Sequence, residues 1–300
     1  MMQWGVALNV HERLEDTIRF ARILDEAAID QLWIVDFPSP RFAPTVADKI
    51  ASITSCRMGI GLLSPLIYDS DFILRFTETL VNRHGNRFDL LLGPGDRSAL
   101  ASIGFKEWAP KRIIEKCIET TALIKSELQE RGISGKVWVG AQGPRMIKES
   151  TNGDGVLLNY TDPEMLAWAL QQMPARDDHL KGAFVPTYLV RECVTRPPNE
   201  FLVAAAIVAL GAPTKLTNAL SLQEIDAGRA AYQSAGKLNA SVLDVMTVGN
   251  LLRWGVYSTP KGTVDYVTSL ERLGLDLIVF GPPISHHEAS LKLLIEAFGK

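Results

Sequence analysis

Short apolar runs alternate with amphipathic stretches along nearly the whole chain. The first run covers 4–10, with Val6 and Leu8 on the same side of an extended segment. Leu14, Ile18, Ala21, Leu24 and Ala28 then recur at the three- and four-residue spacing of one helix face. The pattern repeats. A strand over 32–35 ends at Asp36, and a helix follows over 46–53. A strand over 58–63 runs into Ser64-Pro65, and a helix covers 72–80. The strand over 88–92 opens into G-P-G-D, and Ile114, Cys117, Thr121, Ile124 and Leu128 mark the next helix. A strand over 137–139, a short helix over 144–150 and a strand over 156–158 come next. The sixth strand leads to Asn159-Tyr160, after which Asp162-Pro163 begins a helix with a carboxylate cap and a first-turn proline. A seventh strand is predicted over 187–190, a helix over 264–273 and an eighth strand over 277–280. Leu291, Leu294, Ile295 and Phe298 share one face of a closing helix.

Strands that are apolar throughout and alternate with helices predict a parallel sheet covered by helices. Eight of them is the number that closes an α/β (β/α)8 TIM barrel, with a doubly wound open sheet as the alternative. The stretch 204–254 is longer than a crossover requires and reads as a helical insertion between strands seven and eight. Within it, A-A-A-I-V-A-L at 204–210 is apolar nearly all round, which implies burial inside the fold or against a partner. No linker or internal repeat interrupts the chain, so one domain is expected over 1–300.

Composition narrows the function. With 300 residues, 47% of them hydrophobic, the chain can bury a large core. A net charge of −3 gives no basic footprint for nucleic acid. No apolar run is long enough to span a bilayer, and no signal peptide is evident at the start. Cys56, Cys117 and Cys193 lie far apart and form no C-x-x-C pair, which fits free thiols in a reducing cytoplasm.

In a (β/α)8 barrel the chemistry sits at the carboxyl ends of the strands. There the sequence places Asn9, Asp36-Phe37, Gly61-Leu62-Leu63-Ser64-Pro65, Gly93-Pro94-Gly95-Asp96, Gly140-Ala141-Gln142-Gly143, Asn159-Tyr160 and Gly281-Pro282-Pro283. Glycine lets a bound group approach the backbone. At Gly140–Gly143, followed by Pro144, a turn delivers free N–H groups to a helix start, which suits a phosphate. The same spacing also fits an ordinary tight turn. Asp36 and Asp96 are candidate acid–base groups or cofactor anchors, and equally candidate caps. His286-His287 reads as a solvated loop with no third metal ligand, and His84, beside Arg83 and Arg87, as a helix-end cation.

Taken in order, these residues resemble the luciferase-like flavin- and deazaflavin-dependent oxidoreductases, and within them the methylenetetrahydromethanopterin reductase group. The resemblance is carried by L-L-G-P-G-D-R-S-A-L-A-S-I-G from Leu91, V-G-A-Q-G-P-R-M from Val139, D-G-V-L-L-N from Asp154, F-G-P-P-I-S from Phe280 and L-K-L-L from Leu291. It implies an enzyme that binds coenzyme F420, or FMN in its place, at the carboxyl end of the barrel and transfers hydride to or from a small organic or pterin-type substrate. It implies a non-proline cis peptide at Gly61–Leu62, a bulge behind the coenzyme ring that includes Leu63 and Ser64, and a phosphate-binding part at Gly140, Ala141, Gln142 and Gly143. Gly95 and Asn159 fall among the cofactor contacts, and Asp36 and Asp96 line the pocket, with Asp96 as candidate proton relay. It implies a cytoplasmic homo-oligomer, a dimer or tetramer. Ala7 stands where the group has a strand-one glutamate, and Phe37 where it has a histidine. A non-catalytic coenzyme binder and an unrelated barrel enzyme for a phosphorylated metabolite are the competing readings.

Overall fold

The computed structural model describes residues 2–8, 13–36, 42–95, 100, 104, 109–217, 220, 222–235 and 240–299. Nine strands are present among them: β1 Gln3–Leu8, β2 Gln31–Ile34, β3 Arg57–Leu63, β4 Phe88–Leu92, β5 Val137–Ala141, β6 Gly155–Leu158, β7 Leu180–Leu189, β8 Val256–Ser258 and β9 Leu277–Gly281. Between and after them lie α1 Leu14–Glu26, α2 Ala43–Ala51, α3 Ser70–His84, α4 Pro110–Glu130, α5 Pro144–Glu149, α6 Pro163–Gln171, α7 Asn199–Gly211, α8 Leu222–Ala235, α9 Val248–Leu251, α10 Pro260–Arg272 and α11 Glu288–Phe298.

Eight of the nine strands form a closed ring, β1-β2-β3-β4-β5-β6-β7-β9, which returns from β9 to β1. Every pairing is parallel, so the architecture is the (β/α)8 barrel. The insertion also lies where the pattern placed it, between β7 and the last barrel strand, and it begins with α7. Helix α7 is apolar nearly all round because most of it is buried: Phe201, Leu202, Ala205 and Ala209 are fully buried in the main core. Two details differ from the sequence pattern. Strand β7 starts at Leu180 rather than near 187, because Lys181, Gly182 and Pro186 break its apolar run. The insertion also contributes β8, which pairs only with the outer end of β7 at Thr187–Leu189.

The barrel interior has its own small core of Ala7, Trp33, Leu91, Trp138, Leu157, Leu277 and Val279. Trp33 and Trp138 meet edge to face, with ring centroids 6.4 Å apart. Trp33 fits because its register partner is Gly59, where any Cβ would overlap the indole ring. Pairing one large ring with a residue without a side chain is how a barrel interior accommodates an indole.

The amino-terminal end of the barrel is closed by a polar plug. Asp89 is 2% exposed and accepts from Arg57 Nε at 3.0 Å, Gln31 Nε2 at 2.6 Å and the Lys136 backbone N–H at 2.7 Å, with Arg57 Nη2 closing a second bond. Gln31 Oε1 in turn accepts from Trp33 Nε1 at 3.1 Å. The plug therefore satisfies the indole N–H of the largest interior side chain. Among the described residues no helix is long and apolar enough to cross a membrane. The three cysteines are free, and burial pushes the Cys56 and Cys117 thiols up to about 12.

Asp89→Ala leaves Arg57, Gln31 and the Lys136 N–H without their shared acceptor. Urea unfolding is expected to show a loss of roughly 3 kcal/mol. A loss below about 0.5 kcal/mol, the scale of a neutral surface change, contradicts this account of the plug.

Candidate functional site

At the opposite end, β3 leaves the barrel through a bulge. The peptide bond between Gly61 and Leu62 is cis, and Gly61 has φ +151, a conformation that favours glycine. The register between β3 and β4 shifts between Ile60 and Leu63. The Leu62 side chain lies across the mouth of the barrel. A Cβ on Gly93 would meet Leu62 Cδ1 at 2.7 Å, and one on Gly140 would overlap it. The two glycines thus make room for a leucine shelf that packs on the interior core. Phe184 of β7 extends this apolar floor, where a Cβ on Gly281 would come within 2.5 Å of its ring. Ala7 and Val279 lie fully buried beneath.

Polar groups at the same rim hold the bulge in place. The Asp36 backbone N–H donates to the Gly61 carbonyl at 3.0 Å. Asp36 Oδ1 accepts from the Ala43 N–H at 3.1 Å, and Oδ2 from the Tyr68 hydroxyl at 2.9 Å. The carboxyl therefore caps the first turn of α2 and anchors the loop after β3. Tyr68 itself stacks on Phe72 with centroids 5.6 Å apart. Ser64 Oγ donates to the Pro94 carbonyl at 3.0 Å, and the Leu63 carbonyl accepts from the Gly93 N–H at 3.3 Å, so the exits of β3 and β4 are tied together. Gly95 follows with φ +79. Asp96, Phe37 and Asn9 lie outside the described residues.

The turn after β5 lies beside the shelf. The Ala141 carbonyl accepts from the Asn159 N–H at 3.1 Å, which pairs the exits of β5 and β6. Gly143 is the N-cap of α5 and has no side chain to supply a cap; Pro144 follows at the first position. The Gln142 carbonyl accepts from the buried Tyr160 hydroxyl. Its side-chain Nε2 donates to the Val208 carbonyl at 2.7 Å and to the Asn159 carbonyl at 3.4 Å. The Asn159 side chain is half-buried beside it.

The structure thus brings Gly61, Leu62, Leu63, Ser64, Gly95, Asp36, Gly140, Ala141, Gln142, Gly143 and Asn159 to one end of the barrel. Sequence reasoning missed Tyr68 and Phe184. Tyr68 sits in a loop with no periodicity, and Phe184 was hidden by the broken apolar run of β7. The histidine pair also differs from a simple solvated loop: His287 Nε2 lies 2.6 Å from Glu200 Oε1 of α7, and its ring packs on Tyr188 at 5.0 Å. His84 Nε2 lies 2.7 Å from Asp48 Oδ1, and Arg83 contacts the other oxygen of the same carboxylate at 2.7 Å. No cluster of metal-ligating side chains occurs among the described residues.

No protein-family model matches the chain, and no curated protein matches it by sequence. Solved structures do match its fold. The coenzyme F420-dependent tetrahydromethanopterin reductase from Methanopyrus kandleri superposes with a TM-score of 0.81 at 17% identity, covering 99% of this chain and 98% of that one. An F420-dependent secondary alcohol dehydrogenase, solved with an F420-acetone adduct, gives 0.73 at 12% identity over 99% and 98%. The oxygenating constituent of 3,6-diketocamphane monooxygenase from Pseudomonas putida, in complex with FMN, gives 0.61 at 12% over 100% and 97%. At such identities the likeness is one of fold, and it is the fold that the sequence resemblance implied.

Burial raises the Asp36 carboxyl above the ordinary carboxylate range, against the lowering effect of its bonds from Ala43 and Tyr68. The folded chain therefore keeps this proton to higher pH than the unfolded chain does. The group's contribution to stability is complete below the ordinary carboxylate value and is lost as pH rises through the raised one. Asp36→Asn keeps an oxygen for the Ala43 N–H and carries no charge. Denaturant unfolding between about pH 4 and 7 is expected to show wild type losing stability relative to this variant as pH rises. A difference that stays flat with pH removes the assignment.

Proposed function

We propose that the carboxyl end of the barrel binds a deazaflavin of the F420 kind, and that the protein is an oxidoreductase acting on a small organic substrate. FMN is the alternative ligand of similar planar shape. The observation that carries the reading is the Leu62 shelf: an apolar side chain laid over Gly93 and Gly140, next to a cis peptide, at the end of the barrel where this architecture does its chemistry. A flat ring needs a flat apolar backing, and Leu62 and Phe184 supply one. The residues present also suit an anionic tail. The start of α5 has no side-chain cap, and a helix start presents free N–H donors.

In this reading Gly61, Leu62, Leu63 and Ser64 back the ring, and Gly95 lets the loop after β4 approach it. Gly140, Ala141, Gln142, Gly143 and Asn159 form the wall that meets the tail. The bound coenzyme supplies the hydride chemistry. The chain orients the ring, excludes water from one face and holds the substrate over the other. Asp36 fixes the Gly61 carbonyl and the start of α2, so its part is to hold the bulge. Asp96 is the group we assign to proton transfer at the open face. Ala7 is fully buried under the ring's backing, so the carboxylate of the resembling group has no counterpart in strand one, and a substrate less polar than a pterin is favoured. That same alanine is the feature on which a second reading rests, a coenzyme binder without turnover.

Titration of the purified protein with F420 and, separately, with FMN is expected to give a saturable fluorescence change with the deazaflavin. Oxidation of reduced F420 on adding a small carbonyl compound, or reduction of oxidised F420 on adding the corresponding alcohol, separates the enzyme from the binder. Gly140→Val pushes Leu62 into the ring position and is expected to weaken binding by at least about tenfold, near 1.4 kcal/mol. No saturable signal from either coenzyme with folded wild type overturns the proposal.

A further inference from the structure

The polar side chain that the β5 turn offers is already engaged. Gln142 Nε2 donates to the Val208 carbonyl at 2.7 Å, and Val208 stands in the last turn of α7. The last carbonyls of a helix have no partner within it and need outside donors. Helix α7 takes two of them. Gln142 reaches Val208 from the barrel, and Arg229 of α8 reaches the Leu210 carbonyl with Nε at 3.4 Å and Nη2 at 3.3 Å. On its other side Gln142 is held through its own carbonyl by Tyr160 and through Nε2 by the Asn159 carbonyl. One residue thus joins the β5 turn, the exit of β6 and the inserted helix.

We infer that Gln142 is a positioning residue through which the inserted helix α7 sets the geometry of the coenzyme-binding turn. The inference rests on the proposed function in that the turn is taken to meet the coenzyme. Its consequence is that binding at the barrel mouth responds to changes in the insertion, including changes that touch no ligand. Gly211, the exposed last residue of α7, provides the lever. A Cβ there would overlap Gln142 Oε1 and lie 3.2 Å from its Cδ, so even alanine displaces the amide. Helix propensity predicts no cost for glycine to alanine at this place. Any effect on the turn therefore has to pass through Gln142.

The test compares wild type, Gly211→Ala, Gln142→Ala and the double variant. F420 affinity is read by fluorescence titration, hydrogen exchange of the segment 140–147 is followed in coenzyme-free protein, and thermal unfolding is recorded. Each single variant is expected to bind F420 about tenfold more weakly, the loss of one well-made hydrogen bond, and to exchange faster at 140–147 with little change in melting. The double variant is expected to match Gln142→Ala, because Gly211→Ala has nothing left to displace. Wild-type affinity and exchange in Gly211→Ala, or losses that multiply in the double variant, overturn the inference. If wild type binds neither F420 nor FMN, the coenzyme reading fails and exchange alone decides. Faster exchange at 140–147 then supports the tie, and unchanged exchange refutes it.

Discussion

A closed ring of eight parallel strands encloses a fixed volume, and the matching of large to absent side chains inside that ring governs everything else in this molecule. Trp33 occupies the space over Gly59, and Leu62 the space over Gly93 and Gly140. Each pairing is a steric commitment: the ring or branch is admitted only because its neighbour has no Cβ. Such packing leaves little room for compromise, since interiors are close-packed and a single added methyl group has to be accommodated by movement. Between the polar plug and Leu62 the interior is occupied by the buried cluster of Ala7, Trp33, Leu91, Trp138, Leu157, Leu277 and Val279. The mouth begins at Leu62.

The two ends of the barrel differ in chemistry for the same reason. At the amino-terminal end β2 and β3 start with Gln31 and Arg57, whose side chains donate to the one buried carboxylate, Asp89 of β4, which Arg57 neutralises. Such a cluster is satisfied from within. At the carboxyl end the inward positions are Leu62, Gly93, Gly140, Phe184 and Gly281, which bring no charge of their own. Polar groups at that rim, from Asp36, Ser64, Gln142 and Tyr160, face backbone atoms of neighbouring loops. They shape the mouth by holding its walls and leave an apolar floor between them. A planar, largely apolar ring with a charged tail matches a floor without charge flanked by a helix start without a cap.

Much of this architecture is legible in the chain. Seven barrel strands follow from local apolar runs, because a strand covered on both faces is apolar at nearly every position. The eighth, β7, escapes in its first half because Lys181, Gly182 and Pro186 carry too little apolar character to register as a run. The site is legible in a different way. The residues at the strand ends can be named from the strands alone, but their partners cannot. Gln142 meets Val208 across 66 residues, and Asp36 meets Tyr68 across 32. Neither spacing has a local signature. Asp36 in sequence is a strand-end carboxylate free to be an acid, a base or a cap. Only the fold brings both the Ala43 N–H and the Tyr68 hydroxyl to it. The cis bond at Gly61–Leu62 came from the resemblance and from nothing in the local pattern.

The glycines at the rim serve different ends. In sequence Gly140 and Gly143 look like one feature, a pair that lets a phosphate approach the backbone. In the structure they do different things. Gly140 has its Cβ position filled by Leu62, whereas a Cβ on Gly143 would meet nothing within 4 Å. Gly143 is therefore the one of the pair with open space before it, at the start of α5, and Gly140 belongs with Gly93 to the support of the shelf. A side chain at 140 would displace Leu62, and one at 143 would enter the open space at the helix start. Under the proposed function, the motif would couple the backing of the ring and the reception of its tail in four residues. Gln142, between them, fixes both to the inserted helix, so the insertion is part of the wall of the mouth.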